Sequence, residues 1–528
     1  MFKKLILSIL SAFFLYLSWP PSVNFTFFIF FALIPLFILE ASAVKQEISS
    51  RNYFLYVYVA FFLFNMATTY WIQHAHVGGA IFAILCNSFF MTLVFFLSLK
   101  IKDVMKWDKK FFILPILWVG FEYLHLNWDL SWPWLTLGNV FASHPAWVQW
   151  YSITGVLGGT IWIFLVNFSI FQVYQNRFSF SLRTTHIIIA VSLIIIPISI
   201  SSWISYKDNN MLSTDSANIL IVQPNIDPYK EKFTLSQQDQ TQSVLSFIKS
   251  RIDSTTDFVI LPETFLISPI WFHRLDQNLD INLFKNLVYK YPNINILTGA
   301  TVLKFSSKSA TSKPLLNHAN QFYKVYNSAL QLNLIGIQSY YKSKLVPGAE
   351  QMPFHNLLYP ILGDNILQIG NSTAIGNFSK QDTVANFISS KNHHIAPIIC
   401  YESIYGDYVR RFINKGAQII IIMTNDGWWK KTSGYQQHNM YANLRAIENR
   451  RYIARSANTG ISSIINPFGE LEAMIDWNKR DVISQKVYLY SKKTFYVQYG
   501  DFIGRLCAFI SIIIILYCFV DNKLRFSY

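Results

Sequence analysis

The sequence predicts a two-part fold, in which a multi-pass α-helical membrane domain is joined to an α/β domain outside the membrane. Composition is the first reason, because the 528-residue chain is 52% hydrophobic and only 14% charged, whereas about a quarter of the residues in a soluble domain are charged. Distribution is the second, because long apolar runs fill about the first two hundred residues and recur near the C-terminus. Third, the stretch between them alternates short β-branched runs with polar helical ones, a pattern typical of α/β domains.

Composition also excludes several classes of protein. Intrinsic disorder and fibrous structure are excluded, because aromatic residues make up 17% of the chain and it holds only 21 glycines and 18 prolines. A net charge of +15 would suggest nucleic acid if the basic residues shared one soluble face. Many of them instead flank the apolar runs, so we expect a membrane as partner and no nucleic acid.

The apolar runs predict about eight membrane spans, since a helix needs about 20 mostly apolar residues to cross a bilayer core. Lys3 and Lys4 precede the first run as in a signal peptide, but Trp19 and two prolines make a poor cleavage site, so a retained helix is favoured. The predicted spans lie near residues 5–20, 24–43, 53–73, 79–99, 111–126, 148–174, 187–206 and 502–520. The predicted domains are a membrane domain at 1–206, an extracytoplasmic α/β domain at 207–500, and a last span with its cytoplasmic tail at 501–528.

Loop charges predict the orientation of the chain. Loops 21–23, 74–78 and 127–147 contain no Lys or Arg. Cytoplasmic loops carry the excess of basic residues, so both termini are expected in the cytoplasm and the α/β domain on the outer side. The basic residues assigned to the inside are Lys3, Lys4, Lys45, Arg51, Lys100, Lys102, Lys106, Lys109, Lys110, Arg177, Arg183, Lys523 and Arg525.

Two features of the membrane half have open interpretations. Glu122 lies in a predicted span, where a buried carboxylate is costly and suggests function, but near a helix end it can also reach the interface. The loop at 127–134 is rich in tryptophan, which favours an interfacial aromatic belt. The alternative is a lipid-contacting rim beside an active site, formed by Trp132 and Trp134.

Cys400 is the one cysteine in the predicted outer domain, since the other three lie in predicted spans. A domain with a single cysteine cannot form an internal disulfide, so this thiol is either inert in the core or free for a purpose. The segment from Ile398 to Glu402 favours the second interpretation. It predicts a strand that ends at the cysteine and turns into a helix, which would bring the thiol close to backbone N–H groups at the helix N-terminus.

The outer domain contains two further candidate segments, placed by its predicted secondary structure. Glu263 follows an apolar strand, where a carboxylate can act as a general base or simply cap a helix. The loop that contains Lys342 supplies a cation able to stabilise an oxyanion, although alone it is only a charged loop. Chemistry is expected at the carboxyl ends of the strands. Strands are predicted at 218–225, 258–263, 294–299, 395–400 and 417–424, and helices at 234–250, 283–291, 403–415 and 438–450.

Taken together, these segments resemble the carbon–nitrogen hydrolase (nitrilase) superfamily. With about seven membrane spans before the domain and one after it, the whole chain is similar to the apolipoprotein N-acyltransferase family, whose members are enzymes of bacterial lipoprotein maturation. The motifs that carry the resemblance are Leu261-Pro262-Glu263, Tyr341-Lys342 with Leu345 and Glu350, Cys400-Tyr401-Glu402 and Thr424-Asn425-Asp426-Gly427-Trp428.

The resemblance implies an αββα sandwich and a set of residue roles. Glu263 would be the general base, Lys342 the oxyanion stabiliser and Cys400 the nucleophile. Lys344 stands where the family often has His and competes for the lysine role, but Lys342 follows Tyr341 and precedes the second acid as the motif requires. The supporting residues are Glu350, Tyr401 and Glu402, and Trp428 corresponds to an aromatic near the substrate entrance.

The implied activity is acyl transfer from a phospholipid, expected to be phosphatidylethanolamine, through a thioester on Cys400. The acceptor would be the α-amine of the diacylglyceryl-cysteine at the N-terminus of an apolipoprotein. No metal or other cofactor is implied, and the expected location is a bacterial inner membrane with the catalytic domain in the periplasm. Two alternatives stay open: a membrane-tethered amidase or nitrilase that uses water, and a catalytically silent membrane scaffold.

Overall fold

The computed structural model describes residues 2–105, 110–209, 213, 215–227, 229–230, 234, 236–307, 312–315, 318–351, 353–354 and 378–526. Its internal contacts divide the chain into two compact units. The first, here the helical unit, comprises Met1–Gln73, Val77–Asn210 and Tyr499–Tyr528. The second, here the α/β unit, comprises His74–His76 and Met211–Gln498.

The helical unit consists of helices joined by short 3₁₀ segments. Within the described residues, six segments are long and apolar enough to cross a membrane: Thr26–Val44, Ser50–His74, Val77–Val104, Val156–Gln175, Phe180–Asp208 and Phe502–Asp521. The α-helices are α1 (Phe2–Ser18), α2 (Ile34–Val44), α3 (Ser50–Thr69), α4 (Val77–Val104), α5 (Ile113–His125), α6 (Tyr151–Thr154), α7 (Val156–Gln175), α8 (Phe180–Asn209) and a C-terminal helix, Phe502–Phe526.

The helices differ from the predicted spans in two respects. The first and fifth predicted spans form helices of only 17 and 13 residues, α1 and α5. The predicted span at 148–174 is not continuous, because Gly155 adopts a φ of 64° and separates α6 from α7. A left-handed residue cannot continue a right-handed helix, and glycine reaches that conformation at little steric cost.

Glu122 lies inside the helical unit, where hydrogen bonds surround its carboxylate. Its Oε1 accepts from the indole N–H of Trp118 at 2.9 Å and from the backbone N–H of Leu137 at 2.8 Å. Its Oε2 accepts from the hydroxyl of Thr160 at 2.7 Å. The side chain therefore joins α5 and α7 to the loop that follows Trp134, and it does not reach for an interface.

The tryptophans of this loop differ in exposure. Trp134 is only 1% exposed, and its ring packs at 4.8 Å from that of Trp71. Trp132 is half-buried and stacks on Trp134, with ring centroids 6.0 Å apart. Trp134 is thus a packing residue of the helical unit, because neighbouring protein covers its indole almost completely.

The α/β unit contains two sheets and their flanking helices. In this unit the strand Ile419–Thr424 lies between two parallel neighbours, His394–Ile399 and Ile453–Ala457. The strands are β1 (Ser216–Gln223), β2 (Phe258–Ile260), β3 (Leu266–Trp271), β4 (Asn295–Ser306), β5 (Lys313–Leu315), β6 (His318–Asn333), β7 (Gly336–Tyr341), β8 (Phe387–Ile388), β9 (His394–Ile399), β10 (Ile419–Thr424), β11 (Ile453–Ala457), β12 (Ser462–Ile465), β13 (Leu471–Ile475) and β14 (Asp481–Tyr488), and the helices are α9 (Gln237–Lys249), α10 (Leu279–Lys290), α11 (Gly406–Asn414), α12 (Ser433–Asn449) and α13 (Phe495–Tyr499).

The strands form an αββα sandwich, as predicted. Among the described strands, one sheet has the order β14-β1-β2-β4-β6-β5, with β3 beside β4 and β7 beside β6, and the other has the order β13-β12-β11-β10-β9-β8. The sheets face each other through β1 and β11 and through β6 and β9, with α9 and α10 on one outer side and α11 and α12 on the other. On the first of these sides, α9 and α10 bury the apolar face of their sheet in a hydrophobic core that includes Val259, Phe284 and Ile296.

The predicted strands form as β1, β2, β4, β9 and β10, and β4 extends further than expected, to Ser306. The predicted helix at 403–415 starts later, at Gly406, because Cys400–Ile404 forms a 3₁₀ turn and Tyr405 is extended, with φ −87° and ψ 96°. The nucleophile candidate therefore lies on a tight turn between strand and helix.

We predict that Glu122→Leu destabilises the helical unit, because it leaves three donors without their acceptor. Each buried unsatisfied donor costs about 1–3 kcal/mol, so the loss is roughly 3 kcal/mol or more. Thermal unfolding in detergent, followed by intrinsic fluorescence, measures it. Glu47→Leu is the matched control, because Glu47 is about half exposed. Equal melting temperatures for the two variants would contradict a structural role for Glu122.

Candidate active site

The three candidate catalytic residues each follow the carboxyl end of a strand. Glu263 follows β2, Lys342 follows β7 directly, and Cys400 follows β9 directly. Strand pairing fixes two of these positions: Lys342 N–H donates to Asn327 O at 2.9 Å, and Gly299 N–H donates to Pro262 O at 3.1 Å. The expectation that chemistry gathers at strand ends agrees with this placement.

The backbone at Glu263 runs very close to β4. A Cβ added to Gly299 would lie 2.3 Å from the backbone nitrogen of Thr264 and 2.7 Å from the Cα of Glu263. Backbone atoms on both sides cannot move apart without disturbing the sheet, so only glycine fits here. The neighbouring strand β4 therefore fixes the backbone of Glu263, and hydrogen bonds fix its carboxylate.

Lys342 is the centre of a buried ionic cluster. Its Nζ lies 3.1 Å from Glu263 Oε1 and 2.9 Å from Glu350 Oε1, and the lysine side chain is only 1% exposed. The amide of Asn327 donates to the same two oxygens, at 2.8 and 3.0 Å. Glu350 is fixed in turn by the backbone N–H of Val346. A buried cation requires such partners, because burial without them costs several kcal/mol.

The charges around Lys342 determine its protonation state. Burial alone would lower the pKa of its ammonium group, but the carboxylates of Glu263 and Glu350 outweigh burial and hold the pKa well above its ordinary value. Lys342 therefore stays charged and can stabilise a negative oxygen, whereas a neutral amine would act as a base.

Cys400 has a strained backbone and a protonated thiol. Its φ is 50°, in the left-handed region that residues with a Cβ rarely adopt. Burial raises the pKa of the thiol well above its ordinary value, Glu263 raises it further, and Lys342 and the Thr424 hydroxyl act in the opposite direction. A thiol of this kind needs a general base at the moment of attack.

Glu402 holds the turn that carries Cys400. Its Oε2 accepts from the backbone N–H of Ile399 at 2.9 Å, and its Oε1 accepts from the hydroxyl of Tyr340 and the backbone N–H of Ser343, both at 2.6 Å. Burial raises the pKa of Glu402 to about 7, against the lowering effect of these donors. One side chain thus connects the turn at Cys400 to the loop that begins at Lys342.

The remaining sequence candidates have distinct surroundings. Lys344 does not enter the ionic cluster around Lys342, because its ammonium group packs over the ring of Tyr405, 4.9 Å from the centroid. Tyr401 is buried and also contacts Tyr405, at 5.3 Å between ring centroids. Trp428 is half-buried and packs edge-on against Tyr229 at 5.6 Å.

Sequence reasoning missed several residues near the nucleophile. Asn327 gave no signal, because it is an ordinary polar position within β6. Asp426 lies in a motif that was noticed, but its partners on α12 and β11 were not; these are His438 and Arg455. Among the described residues, no group of three or more His, Cys, Asp or Glu side chains has the arrangement of a metal site.

We predict that iodoacetamide alkylates Cys400 at a rate that still rises about tenfold per pH unit through pH 9, where an ordinary cysteine thiol begins to level off. The reason is the raised pKa of the thiol, which leaves little thiolate at neutral pH. Lys342→Gln should slow alkylation at every pH, since it removes the cation that favours thiolate. Peptide mass spectrometry identifies the labelled residue. A plateau below pH 8 would refute this protonation state.

Comparisons with known proteins give matches to both parts of the sequence. Residues 11–169 match the apolipoprotein N-acyltransferase N-terminal domain. The apolipoprotein N-acyltransferase of Chlorobaculum tepidum is 26% identical, and the match covers 99% of this chain and 97% of that protein. Apolipoprotein N-acyltransferase 1 of Treponema denticola is also 26% identical, over 99% of this chain and 98% of its own.

A second group of matches concerns the α/β unit and includes solved structures. Nit3 of Saccharomyces cerevisiae, a nitrilase-superfamily protein, is 15% identical with a TM-score of 0.36, covering 55% of this chain and 95% of its own. Residues 219–491, more than half of the sequence, match the carbon-nitrogen hydrolase family. The chain therefore belongs to the carbon-nitrogen hydrolase family.

Proposed function

We propose that the protein transfers an acyl chain from a phospholipid to the α-amine of the diacylglyceryl-cysteine at the N-terminus of apolipoproteins. The observation that carries the proposal is the meeting of Glu263, Lys342 and Cys400 at strand ends in a chain that also has apolar helices long enough to span a membrane. Relatives that match almost the whole chain are named apolipoprotein N-acyltransferase.

The first half-reaction acylates the thiol. Glu263 takes the proton from Cys400 as the sulfur attacks the ester carbonyl of the phospholipid, and a C–S bond forms. The ammonium of Lys342 and the backbone N–H of Tyr401 stabilise the oxyanion. The ester C–O bond then breaks, and Glu263 returns its proton to the departing oxygen, which leaves a lysophospholipid and a thioester.

The second half-reaction releases the acyl group to nitrogen. The α-amine of the acceptor attacks the thioester carbonyl and forms a C–N bond, and Glu263 accepts the amine proton. The C–S bond breaks, and the sulfur recovers a proton from Glu263 as the free thiol. Lys342 and Tyr401 stabilise this oxyanion in the same way, so one set of groups serves both steps. No proton or electron is left over.

Glu350, Asn327 and Glu402 act in this proposal by holding the reacting groups. Glu350 also pairs with the ammonium group of Lys342. When Glu263 accepts a proton, the ammonium group therefore still has a carboxylate partner. The amide of Asn327 bridges both carboxylates. Glu402 keeps the turn at Cys400 in place through Ile399. This division of roles follows the rule that reacting groups need a rigid supporting layer.

Membrane attachment follows from the substrates. Both carry long acyl chains, and each CH₂ group exposed to water costs about 0.8 kcal/mol. We propose a bacterial inner membrane, with both termini in the cytoplasm and the α/β unit in the periplasm. The support is the absence of Lys and Arg from loops 21–23, 74–78 and 127–147. The donor proposed is phosphatidylethanolamine.

Trp132 and Trp428 are both half-buried and are proposed to contact lipid, whereas the buried Trp134 stacks against Trp132. We predict that Trp132→Ala and Trp428→Ala each raise the KM for phospholipid several-fold and leave the melting temperature nearly unchanged. Trp134→Ala should instead lower the melting temperature, because emptying a buried aromatic site costs about 3–5 kcal/mol. Unchanged KM in both half-buried variants would reject the lipid contacts.

The central test is the intact mass of the detergent-purified protein after incubation with phosphatidylethanolamine. We predict one added acyl group that hydroxylamine removes, present in the wild-type protein, absent from Cys400→Ala and retained in Cys86→Ala, the matched cysteine control. A synthetic diacylglyceryl-cysteine peptide should then discharge the adduct and gain the same mass.

Each alternative function has its own outcome in this experiment. No adduct on a thiol that still reacts with iodoacetamide, together with turnover of water-soluble amides, would indicate a tethered amidase. No adduct and an unreactive thiol at high pH would indicate a catalytically silent scaffold. An adduct that water discharges as fast as the peptide would indicate a hydrolase.

A further inference from the structure

His438 lies directly beneath the turn that carries the nucleophile. Its Nε2 is 3.3 Å from the backbone oxygen of Cys400 and 3.1 Å from the hydroxyl of Ser403. The hydroxyl of Ser403 itself donates to the same Cys400 oxygen, at 2.7 Å. Both His438 and the Cys400 carbonyl are buried, so these contacts form where water does not compete.

The hydrogen-bond inventory determines the direction of these contacts. A carbonyl oxygen only accepts, and the one proton of Ser403 is already directed to Cys400 O. Nε2 must therefore carry a hydrogen and donate to this pair of oxygens. His438 and Ser403 thus both donate hydrogen bonds to the carbonyl oxygen of Cys400.

A buried ion pair fixes the other edge of the ring. His438 Nδ1 lies 2.8 Å from Asp426 Oδ1, and Asp426 Oδ2 accepts from Arg455 at 2.7 Å. Burial alone would raise the pKa of Asp426, but Arg455 and His438 hold it well below its usual range. Asp426 also accepts from Thr424, whose neighbour Met423 pairs with Ile399, the residue before Cys400.

The neighbouring backbone leaves this carboxylate little freedom. A Cβ added to Gly460 would lie 2.6 Å from Asp426 Oδ2. The ring of Trp429 packs edge-on against His438, with centroids 5.5 Å apart. His438 thus joins the nucleophile's turn to the loop that contains Trp428 and Trp429.

We propose that His438 is a positioning residue that aims the Tyr401 backbone N–H at the oxyanion, by holding the carbonyl on the opposite side of the same peptide plane. The inference rests on the proposed function. A peptide unit is planar and trans, so the Cys400 C=O and the Tyr401 N–H point in opposite directions. Fixing the oxygen therefore fixes the direction of the N–H. Polarising the carbonyl also makes the N–H a stronger donor.

The left-handed backbone of Cys400 explains why these hydrogen bonds to its carbonyl oxygen are needed. With φ at 50°, this residue occupies a narrow region of backbone conformation that residues with a Cβ rarely adopt. Glu402 holds the peptide between Ile398 and Ile399, one unit before the plane that enters Cys400, and His438 with Ser403 holds the peptide after Cys400. The backbone on the two sides of Cys400 is therefore held by different side chains.

We predict that Ser403→Ala and His438→Leu lower the kcat of Cys400 acylation, by about tenfold and about a hundredfold, and leave the KM for phospholipid within twofold. One oxyanion donor is worth about 10²–10³ in kcat, and these variants misalign the donor without removing it. His438→Gln should recover at least tenfold over His438→Leu, because its amide N–H can reach the position of Nε2. Single-turnover intact mass spectrometry gives these rates.

The matched control is Ser463→Ala, which removes another buried serine that bonds to α12, through Asn439 at 2.8 Å. It should acylate at the wild-type rate. Wild-type kcat in Ser403→Ala and His438→Leu, or equal loss in all three variants together with lower melting temperatures, would overturn the inference. The mild Ser403→Ala variant keeps the test informative if His438→Leu does not fold.

A second substrate separates failure of the inference from failure of the proposed function. 4-Nitrophenyl butyrate needs no lipid site, so its acylation burst reports the nucleophile, the base and the oxyanion donors without a contribution from lipid binding. If the wild-type protein takes no acyl group from phospholipid, the proposed function fails, while a slower burst in Ser403→Ala and His438→Leu still supports the positioning role. Equal bursts in these variants and the wild type would reject that role.

Discussion

The buried ammonium of Lys342 is the interaction on which the rest of the site depends. A cation with 1% of its side chain exposed is stable only among its carboxylates, and Glu263 and Glu350 supply them. The same pairing places the general base candidate and the oxyanion stabiliser within hydrogen-bond distance. The charge balance also explains why a second acid is present: when Glu263 is neutralised by a proton, Glu350 still compensates the lysine.

The second constraint is the turn at Cys400. The chain leaves β9 at Cys400, which has a φ of 50° and begins a 3₁₀ turn. Around this left-handed residue, Glu402 and Ser403 of the 3₁₀ turn and His438 of α12 bond to the backbone. Tyr340 of β7 donates to the carboxylate of Glu402. Strain at the nucleophile is thus offset by hydrogen bonds contributed by distant parts of the sequence.

The fold and the core of the site could be predicted from the sequence because their signals are local. Apolar runs, alternation of strand and helix, and short motifs at strand ends indicate the two-part architecture and the positions of Glu263, Lys342 and Cys400. Lys342 and Lys344 lie two residues apart, and the motif favours Lys342 because it follows Tyr341 and precedes Glu350. Their surroundings distinguish the two lysines, because Lys342 lies between two carboxylates and Lys344 packs over Tyr405.

What the sequence could not predict depends on contacts between distant residues. The environment of Glu122 comes from a loop N–H and a hydroxyl on another helix, and Trp134 differs from Trp132 only in what packs around it. Asn327, His438 and Arg455 are unremarkable polar residues until the sheet order brings them beside the motifs. Their roles follow from topology, which a pattern along one chain does not contain.

The raised pKa of the Cys400 thiol has a consequence for the protein's chemical lifetime. Oxidants and disulfides react with thiolate far faster than with thiol. In the oxidising compartment where the proposed topology puts the α/β unit, an exposed, acidic cysteine would soon become sulfenic acid or a mixed disulfide. In the proposed mechanism the buried thiol loses its proton only to Glu263 during attack, so we expect Cys400 to stay reduced between turnovers without a partner that regenerates it.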